Sequence, residues 1–211
     1  MLKSRFGGDI DRAVHRLFPF LAATRVRPDT LTLIGVLVSL GAGVAFATGW
    51  VRVGGLVLVV AGLFDMMDGL VARSQGSSSS AGGFFDSSMD RLGDLLVFCG
   101  IAVGMARQAD VGGVVLVSWA LTAAVMTSYV RARAERHLAH FEVGLVERAE
   151  RIGLLALAGI VGYLRVGLWI VAIGGTITAV QRIVVARRLL RELDRTGRDP
   201  TERKEPVAAS L

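Results

Sequence analysis

The sequence predicts an all-α, multi-pass membrane protein with six transmembrane helices, preceded by an amphipathic helix at the membrane interface. Of its 211 residues 53% are hydrophobic and the mean hydropathy is +0.56, which is too apolar for an ordinary soluble domain of this length. Charged residues make up only 20% of the chain and cluster between long apolar runs. Both observations are typical of helices that cross a bilayer in succession.

Residues 1–28 are predicted to form an N-terminal interfacial segment. Within it, residues 9–23 carry apolar side chains at helical spacing and arginines on the opposite side, a pattern typical of a helix lying in the plane of the membrane surface. Pro28 at the start of a turn, followed by Asp29 or Thr30 as the expected N-cap, indicates that the first membrane helix begins here.

Six apolar segments follow, and we assign them to one transmembrane domain over residues 29–190. About 20 apolar residues are needed to cross a bilayer core of about 30 Å, and the fifth segment is short by this measure. Tight connections between segments predict antiparallel neighbours. Residues 191–211 are expected to be a disordered, basic cytoplasmic tail. The segments are 31–49, 53–72, 83–106, 111–133, 152–164 and 167–187.

The distribution of Lys and Arg predicts the orientation of the chain in the membrane. Twenty-one of the 24 basic residues fall in the two terminal regions and in connections on one side, while the three opposite connections carry one each: Arg52, Arg107 and Arg165. Basic residues concentrate on the cytoplasmic side, so both termini are expected there, in the plasma membrane. The net charge is +6, and the basic residues flank apolar spans, which favours anionic lipid over nucleic acid as the partner of the protein.

Four carboxylates at the adjoining ends of the second and third segments are the main functional signal. Asp65 and Asp68 are spaced i,i+3, and Asp86 and Asp90 are spaced i,i+4, so each pair lies on one helix face. A helix hairpin brings the two faces together, where the like charges repel unless a cation neutralises them. Oxygen ligands select Mg²⁺ or Mn²⁺, and four carboxylates can hold two such ions around a phosphoryl group.

Two other interpretations of these acids remain open at this point. The first is that the acids cap helices or pair with arginines at the interface. Four acids at two helical spacings, facing each other across a loop, disfavour that interpretation. Acids inside a membrane protein also line proton or cation pathways. A transport path needs polar groups across the whole span, and the fourth to sixth segments carry few.

At these residues the sequence resembles the CDP-alcohol phosphotransferase family. Its signature is Asp-x2-Asp-Gly-x2-Ala-Arg-x8-Gly-x3-Asp-x3-Asp, and this chain matches every specified position. Members of the family transfer a phosphatidyl or similar group from a CDP-linked lipid to an alcohol and release CMP. The matching residues are Asp65, Asp68, Gly69, Ala72, Arg73, Gly82, Asp86 and Asp90.

The resemblance implies a role for each residue of the stretch. Asp65, Asp68 and Asp86 are expected to ligate metal, with Asp90 both a ligand and the general base. The cytidine diphosphate is expected to contact two groups of residues. One group comes from the signature and its loop: Gly69, Arg73 and Ser79. The other lies at the entry to the first span: Asp29 and Thr32.

A second group of residues is expected to bind the acceptor alcohol. Arg131, Arg151 and Arg182 lie at helix ends on the side of the aspartates, where they can converge on an acceptor that carries a phosphate. Topology alone also places arginines at such ends. The segments around Ser128 and Arg151 resemble the inositol-phosphate-using branch of the family, the phosphatidylinositol phosphate synthases, which implies that Ser128 and the three arginines bind that phosphate.

The predicted reaction is CDP-diacylglycerol plus inositol 1-phosphate giving phosphatidylinositol phosphate and CMP. Glycerol 3-phosphate is the alternative acceptor, because it too carries a phosphate. An ether-lipid donor and a non-catalytic Mg²⁺ transporter also remain open. The resemblance further implies a homodimer, and Gly100 and Gly104 are spaced for close helix packing or for a dimer interface.

Overall fold

The computed structural model of the chain describes residues 27–74, 79–139, 141, 143–197, 199 and 201. These residues form six α-helices joined by turns and loops, and no strand occurs among them. The helices are α1 (Pro28–Ala47), α2 (Val51–Ser74), α3 (Ser80–Arg107), α4 (Val111–Ala134), α5 (Arg148–Val161) and α6 (Leu164–Thr196).

The start of α1 differs from the predicted cap. Pro28 is already the first helical residue and Arg27 is the N-cap, without a side-chain hydrogen bond. Asp29 and Thr30 therefore lie inside the first turn, and the prediction that one of them caps the helix is wrong. The physical reason is that proline's fixed φ suits the first helical position, where its missing N–H costs no hydrogen bond.

Capping side chains and glycines explain four further helix ends. The Ser79 hydroxyl accepts a hydrogen bond from Gly82 N and so begins α3. Asp110 does the same for α4 through Gly113 N. α5 ends at Gly162 and α6 at Gly197, whose φ angles of +87° and +65° suit glycine.

The six helices pack as a closed ring. Going round it, α1 contacts α3, α3 contacts α4, α4 contacts α6, α6 contacts α5, α5 contacts α2, and α2 returns to α1. The main core lies inside this ring, where Phe46, Phe98, Leu155 and Leu168 are almost fully buried. A smaller core beyond it packs the segment after α4 against the end of α6, through Leu138, Phe141, Val185 and Leu189 among others.

Apolar side chains also cover the outside of the ring. Examples on α1 and α6 are Leu37, Val44, Ile173 and Val180, each about half exposed or more. Such a surface is stable in lipid and would favour aggregation in water. Four of the helices that the structure describes, α1, α2, α4 and α6, are long and apolar enough to cross a membrane. The chain is a membrane protein.

The prediction of six transmembrane helices behind an interfacial helix is wrong. The described part of the chain holds six helices in all, of which four qualify as membrane spans. With 14 residues, α5 is about 21 Å long, shorter than a bilayer core of about 30 Å. The 28-residue α3 is long enough but carries four charged residues within nine positions, between Asp86 and Asp94: Asp86, Asp90, Arg91 and Asp94.

Two predictions concern residues mostly outside the described part of the chain. The predicted interfacial helix falls within residues 1–26, which are not described. The predicted disordered tail begins at residue 191, whereas α6 continues to Thr196. Most of the tail after that point is also outside the described residues.

Glycines allow α1 and α3 to approach closely. A Cβ on Gly100 would collide with the backbone of Gly43, and one on Gly104 would collide with the carbonyl oxygen of Phe46. The small-residue spacing in α3 therefore serves packing against α1 within one chain. Its use in a dimer stays a prediction.

Gly100→Ala is expected to destabilise the protein by roughly 1–3 kcal/mol, because the added methyl group has no space between the two backbones. Thermal unfolding in detergent micelles measures the effect. Gly153→Ala in α5 is the matched control, since a Cβ there meets nothing within 4 Å and alanine favours the helix. Equal melting temperatures for the two variants would contradict the close α1–α3 packing.

Candidate active site

Three acidic side chains meet where α2 ends and α3 begins. Asp65 comes from α2, and Asp86 and Asp90 lie one turn apart on α3. One carboxylate oxygen from each lies within 4.8 Å of the others. The structure thus brings together three of the four predicted metal ligands. The helix hairpin and the i,i+4 spacing are enough to explain why they meet.

The fourth predicted ligand, Asp68, lies next to this cluster and is buried. Its Oδ2 accepts a hydrogen bond of 2.7 Å from Thr32 Oγ1, across from α1. Thr32 Oγ1 also lies 3.2 Å from the carbonyl oxygen of Pro28. The charges of Asp86 and Asp65 act on both Asp68 and Asp90, so all four carboxylates share one electrostatic environment.

The donor set fits a divalent cation. Carboxylates of like charge in a partly buried place repel one another, and a hard cation with oxygen ligands removes that repulsion. Among the described residues this is the one group of acids close enough to share an ion. No histidine or cysteine of the described residues joins it, which favours Mg²⁺ or Mn²⁺ over zinc.

Arg148, the first residue of α5, reaches into the acid cluster and was missed by the sequence analysis. Its Nη1 lies 2.5 Å from Asp65 Oδ1 and 2.9 Å from Asp90 Oδ1. Burial lowers the pKa of the Arg148 guanidinium, but the charges of Asp65, Asp94 and Asp90 outweigh this effect and raise the pKa above its ordinary value. Arg148 therefore remains charged and offsets part of the cluster's negative charge.

The residues predicted to hold the nucleotide lie in the first turns of α1, in the last turns of α2 and at the N-cap of α3. Asp29 is exposed in the first turn of α1, one turn before Thr32. Gly69 follows Asp68, and Arg73 is exposed in the last turn of α2. The hydroxyl of Ser79 accepts the capping hydrogen bond at the start of α3. Their contacts with a nucleotide stay a prediction.

The predicted acceptor arginines converge from three helices. Arg182 of α6 donates to the carbonyl oxygen of Thr127 at 2.7 Å, and Arg151 of α5 lies 3.4 Å from the Thr127 hydroxyl. Arg131 of α4 and Arg182 both reach Glu147 Oε1, at 3.7 and 3.3 Å. Ser128 adjoins Thr127 and is partly buried. We call these four predicted residues, with Thr127 and Glu147, the arginine pocket.

One hydrogen-bond donor of the arginine pocket has no acceptor among the described residues. Arg151 is 2% exposed, and its Nε has no hydrogen-bond partner among the described residues. A buried, unpaired N–H costs free energy unless another group accepts from it. An anionic ligand in the arginine pocket would supply that acceptor.

The loop before α5 is fixed by α6. The Thr178 hydroxyl accepts hydrogen bonds from Leu145 N and Val146 N, and Arg182 Nε donates to the carbonyl oxygen of Val143 at 2.5 Å. Gly144 has a φ of +132°, and a Cβ there would collide with Thr178. These contacts place Glu147 beside the arginines. Sequence reasoning missed Glu147 because its partners are distant in the chain.

A cleft of about 350 Å³ opens beside the acid cluster, between α1, α2, α3 and α5. Its charged end includes Asp65, Asp90 and Arg148, and it continues past apolar side chains to Leu157 and Ile160. A charged end and an apolar groove along the helices suit an amphiphilic molecule with its head at the carboxylates.

Comparison with known proteins agrees with this geometry. A family model described as CDP-alcohol phosphatidyltransferase matches residues 25–188. The chain is 34% identical over 188 residues to archaetidylinositol phosphate synthase of Pyrococcus horikoshii, covering 89% of this chain and 97% of the relative. It is 37% identical over 190 residues to phosphatidylinositol phosphate synthase of Streptomyces avermitilis, covering 83% of this chain and 78% of the relative.

Solved structures of a relative have the same fold. The Mycobacterium tuberculosis phosphatidylinositol phosphate synthase with CDP-DAG bound has a TM-score of 0.71 at 30% identity, over 86% of this chain and 94% of that one. The same protein in complex with manganese and citrate has a TM-score of 0.69 at 29% identity, over 85% and 88% of the two chains.

The helical ring and its acid cluster define a membrane enzyme with a carboxylate centre suited to a divalent metal ion. The chain belongs to the CDP-alcohol phosphatidyltransferase family and is a CDP-alcohol phosphotransferase. The resemblance drawn from the Asp65–Asp90 signature is thereby confirmed.

Thr32→Val is expected to weaken Mn²⁺ binding about tenfold, because the hydrogen bond that orients Asp68 is lost from a nearly isosteric side chain. Titration of the purified protein with Mn²⁺, followed by electron paramagnetic resonance without nucleotide, measures this. Thr48→Val is the control, since that exposed hydroxyl bonds only to backbone carbonyls of its own helix. Unchanged Mn²⁺ affinity in Thr32→Val would contradict a role for Thr32 in orienting Asp68 as a metal ligand.

Proposed function

We propose that the protein transfers a phosphatidyl group from CDP-diacylglycerol to inositol 1-phosphate, giving phosphatidylinositol phosphate and CMP. The observation that carries this proposal is the arginine pocket beside the acid cluster. An alcohol without a phosphate has no need of three converging arginines, whereas a phosphorylated acceptor does. Relatives named archaetidylinositol phosphate synthase and phosphatidylinositol phosphate synthase support the choice of inositol phosphate.

The donor is proposed to bind with its diphosphate at the carboxylates. Asp65, Asp68, Asp86 and Asp90 would hold two Mg²⁺ ions, or Mn²⁺ in their place. Such ions neutralise the diphosphate and the charge that develops on the leaving oxygen. The apolar cleft beside the cluster would take the acyl chains. The related structure with CDP-DAG bound supports this class of donor.

The nucleotide would be held by residues around the cluster. Arg73 offers a planar fork to a phosphate, and Gly69 leaves the α2 backbone open to close approach. A Cβ on Gly69 would lie 3.5 Å from Arg73 Nη1, in van der Waals contact, so this position lies beside the guanidinium. The remaining proposed contacts are Asp29, Thr32 and Ser79.

Asp90 is proposed to act as the general base. It would take the proton of the acceptor hydroxyl as that oxygen attacks the phosphorus nearest the diacylglycerol. The new phosphorus–oxygen bond forms to inositol phosphate, the bond to CMP breaks, and CMP leaves with the electron pair. Arg148 lies 2.9 Å from Asp90 Oδ1 and would orient that carboxylate.

The acceptor would place its phosphate among Arg131, Arg151 and Arg182, with Ser128 as a further donor. Arg151 Nε supports this placement, because it is a buried donor with no partner among the described residues. Arg131 and Arg182 share the Glu147 carboxylate. The acceptor phosphate would compete with Glu147 for their donors.

Two variants of this reaction use the same chemistry. Glycerol 3-phosphate is the second candidate acceptor, because the arginine pocket recognises the phosphate that both molecules carry. An ether-linked CDP-lipid is the second candidate donor, favoured by the 34% identity with an archaetidylinositol phosphate synthase. Membership of an enzyme family disfavours a transporter that only carries Mg²⁺.

The protein is proposed to lie in the plasma membrane, with the active site and both termini on the cytoplasmic side. Arg148 contacts the acids, and Arg73 and Arg131 lie in the last turns of α2 and α4, while Arg165 pairs with Asp110 at the start of α4. The concentration of basic residues at the end that carries the acids supports this orientation. A homodimer is proposed from family resemblance alone.

An acceptor panel tests the proposed function. Purified protein with CDP-diacylglycerol and Mg²⁺ is expected to release CMP at least about tenfold faster with inositol 1-phosphate than with free inositol or serine, because only the phosphate reaches the arginines. A CMP release assay gives the rates, with glycerol 3-phosphate in the same panel. Faster turnover with glycerol 3-phosphate would contradict inositol 1-phosphate as the acceptor, but it would not change the assignment to the enzyme family.

Asp90→Asn is expected to lower kcat by about a hundredfold or more, since an amide cannot accept the hydroxyl proton. Mn²⁺ binding should fall far less, because the other carboxylates remain. Ser88→Ala on the same helix is the control, as its hydroxyl bonds only to the carbonyl oxygen of Phe84. Full activity in Asp90→Asn would exclude Asp90 as the base.

A further inference from the structure

A fifth carboxylate, Asp94, lies between the acid cluster and the arginine pocket. It follows Asp90 by one turn on α3, is 5% exposed, and belongs to neither the signature nor the predicted site. Each of its oxygens binds a different arginine. Oδ2 lies 2.5 Å from Arg151 Nη2, and Oδ1 lies 3.4 Å from Arg148 Nε.

Beyond Asp94, the two arginines contact different parts of the site. Arg148 places its Nη1 on Asp65 and Asp90, in the acid cluster. Arg151 places its Nη1 3.4 Å from the Thr127 hydroxyl, in the arginine pocket. A continuous chain of charge-assisted contacts thus runs from the carboxylates to the arginine pocket, and Asp94 is its central member.

The geometry of α5 allows one carboxylate, Asp94, to bind both Arg148 and Arg151. Arg148 and Arg151 are three residues apart in the first turn, so they share a helix face. Arg151 is buried, and a buried guanidinium without a carboxylate partner is strongly destabilising. A long side chain also loses rotamer freedom when it is held, so its position depends on a strong contact.

We propose that Asp94 is a positioning residue for the acceptor half of the reaction. It holds Arg151 through Nη2, which leaves Nε to the acceptor phosphate, and it sets Arg151 at a fixed distance from Asp90 through Arg148. The inference rests on the proposed function, because it takes the arginine pocket as the acceptor site. It adds a residue that orients the acceptor without touching it.

Steady-state kinetics of Asp94→Asn test the role. The KM for inositol 1-phosphate is expected to rise about tenfold or more, as expected for loss of a charge-assisted contact. The KM for CDP-diacylglycerol is expected to change less than about threefold, because Arg148 keeps Asp65 and Asp90. A purely structural role for Asp94 would lower active protein without this selective rise, and an unchanged acceptor KM overturns the proposal.

Asp110→Asn is the matched control. Asp110 is also an ion-paired helix aspartate, 2.8 Å from Arg165, and it caps α4 through Gly113. Because that pair lies outside both the acid cluster and the arginine pocket, both KM values should remain at the wild-type level. A rise in the acceptor KM of this control would show that any lost ion pair has the same effect, which overturns the specific role of Asp94.

A double-mutant cycle shows whether Asp94 acts through Arg151. Asp94→Asn is expected to raise the acceptor KM less than about twofold further when Arg151→Gln is already present. If the fold-changes in acceptor KM of the two single variants multiply in the double variant, the proposal is overturned. If Asp94→Asn does not fold, Asp94→Glu replaces it in the cycle. That variant keeps the charge but shifts the carboxylate by one methylene, and the same selective, non-additive rise is expected.

The wild-type assay separates the two inferences. No CMP release with inositol 1-phosphate would contradict the proposed function, and the cycle would then use the phosphorylated acceptor that the wild-type protein accepts. Normal wild-type turnover with an unchanged acceptor KM in Asp94→Asn would contradict only the role of Asp94.

Discussion

The repulsion among carboxylates gathered at one end of an apolar helix ring is the constraint on which the rest of the structure depends. Asp65, Asp86 and Asp90 approach one another closely, with Asp68 buried beside them. Such a group is stable only when cations offset it. The protein itself supplies Arg148, with Arg91 3.8 Å from Asp90 Oδ2, and the donor set suits a divalent metal ion as a further cation.

The helix packing meets this constraint by bringing helix ends together. Short turns connect α1 to α2 and α5 to α6, and glycines let α1 and α3 approach until their backbones touch. The short α5 then begins beside the acids instead of crossing the membrane in full. Its first turn provides both Arg148 for the acid cluster and Arg151 for the arginine pocket. One helix end therefore connects the proposed donor and acceptor halves of the site.

Residues that interact over short distances in the chain were predictable, and residues paired over long distances were not. The spacing of Asp86 and Asp90 alone places both on one helix face, and the family signature contains the cluster. Nothing local predicts that Arg148 would contact Asp65, 83 residues away, or that Glu147 would join Arg131 and Arg182. The six predicted spans failed for a related reason, since apolar content alone does not distinguish a helix that crosses the bilayer from one that ends at the site.

The sequence by itself determined the helical membrane class, the enzyme family and the acids, because hydropathy and fixed helical spacing are local properties. It also indicated which arginines would converge, through their shared position at helix ends. Only the tertiary structure decided how those charges pair. Asp94, one turn beyond the signature, became the carboxylate that binds both Arg148 and Arg151 because the ring packs α5 against its neighbours with that first turn facing α3.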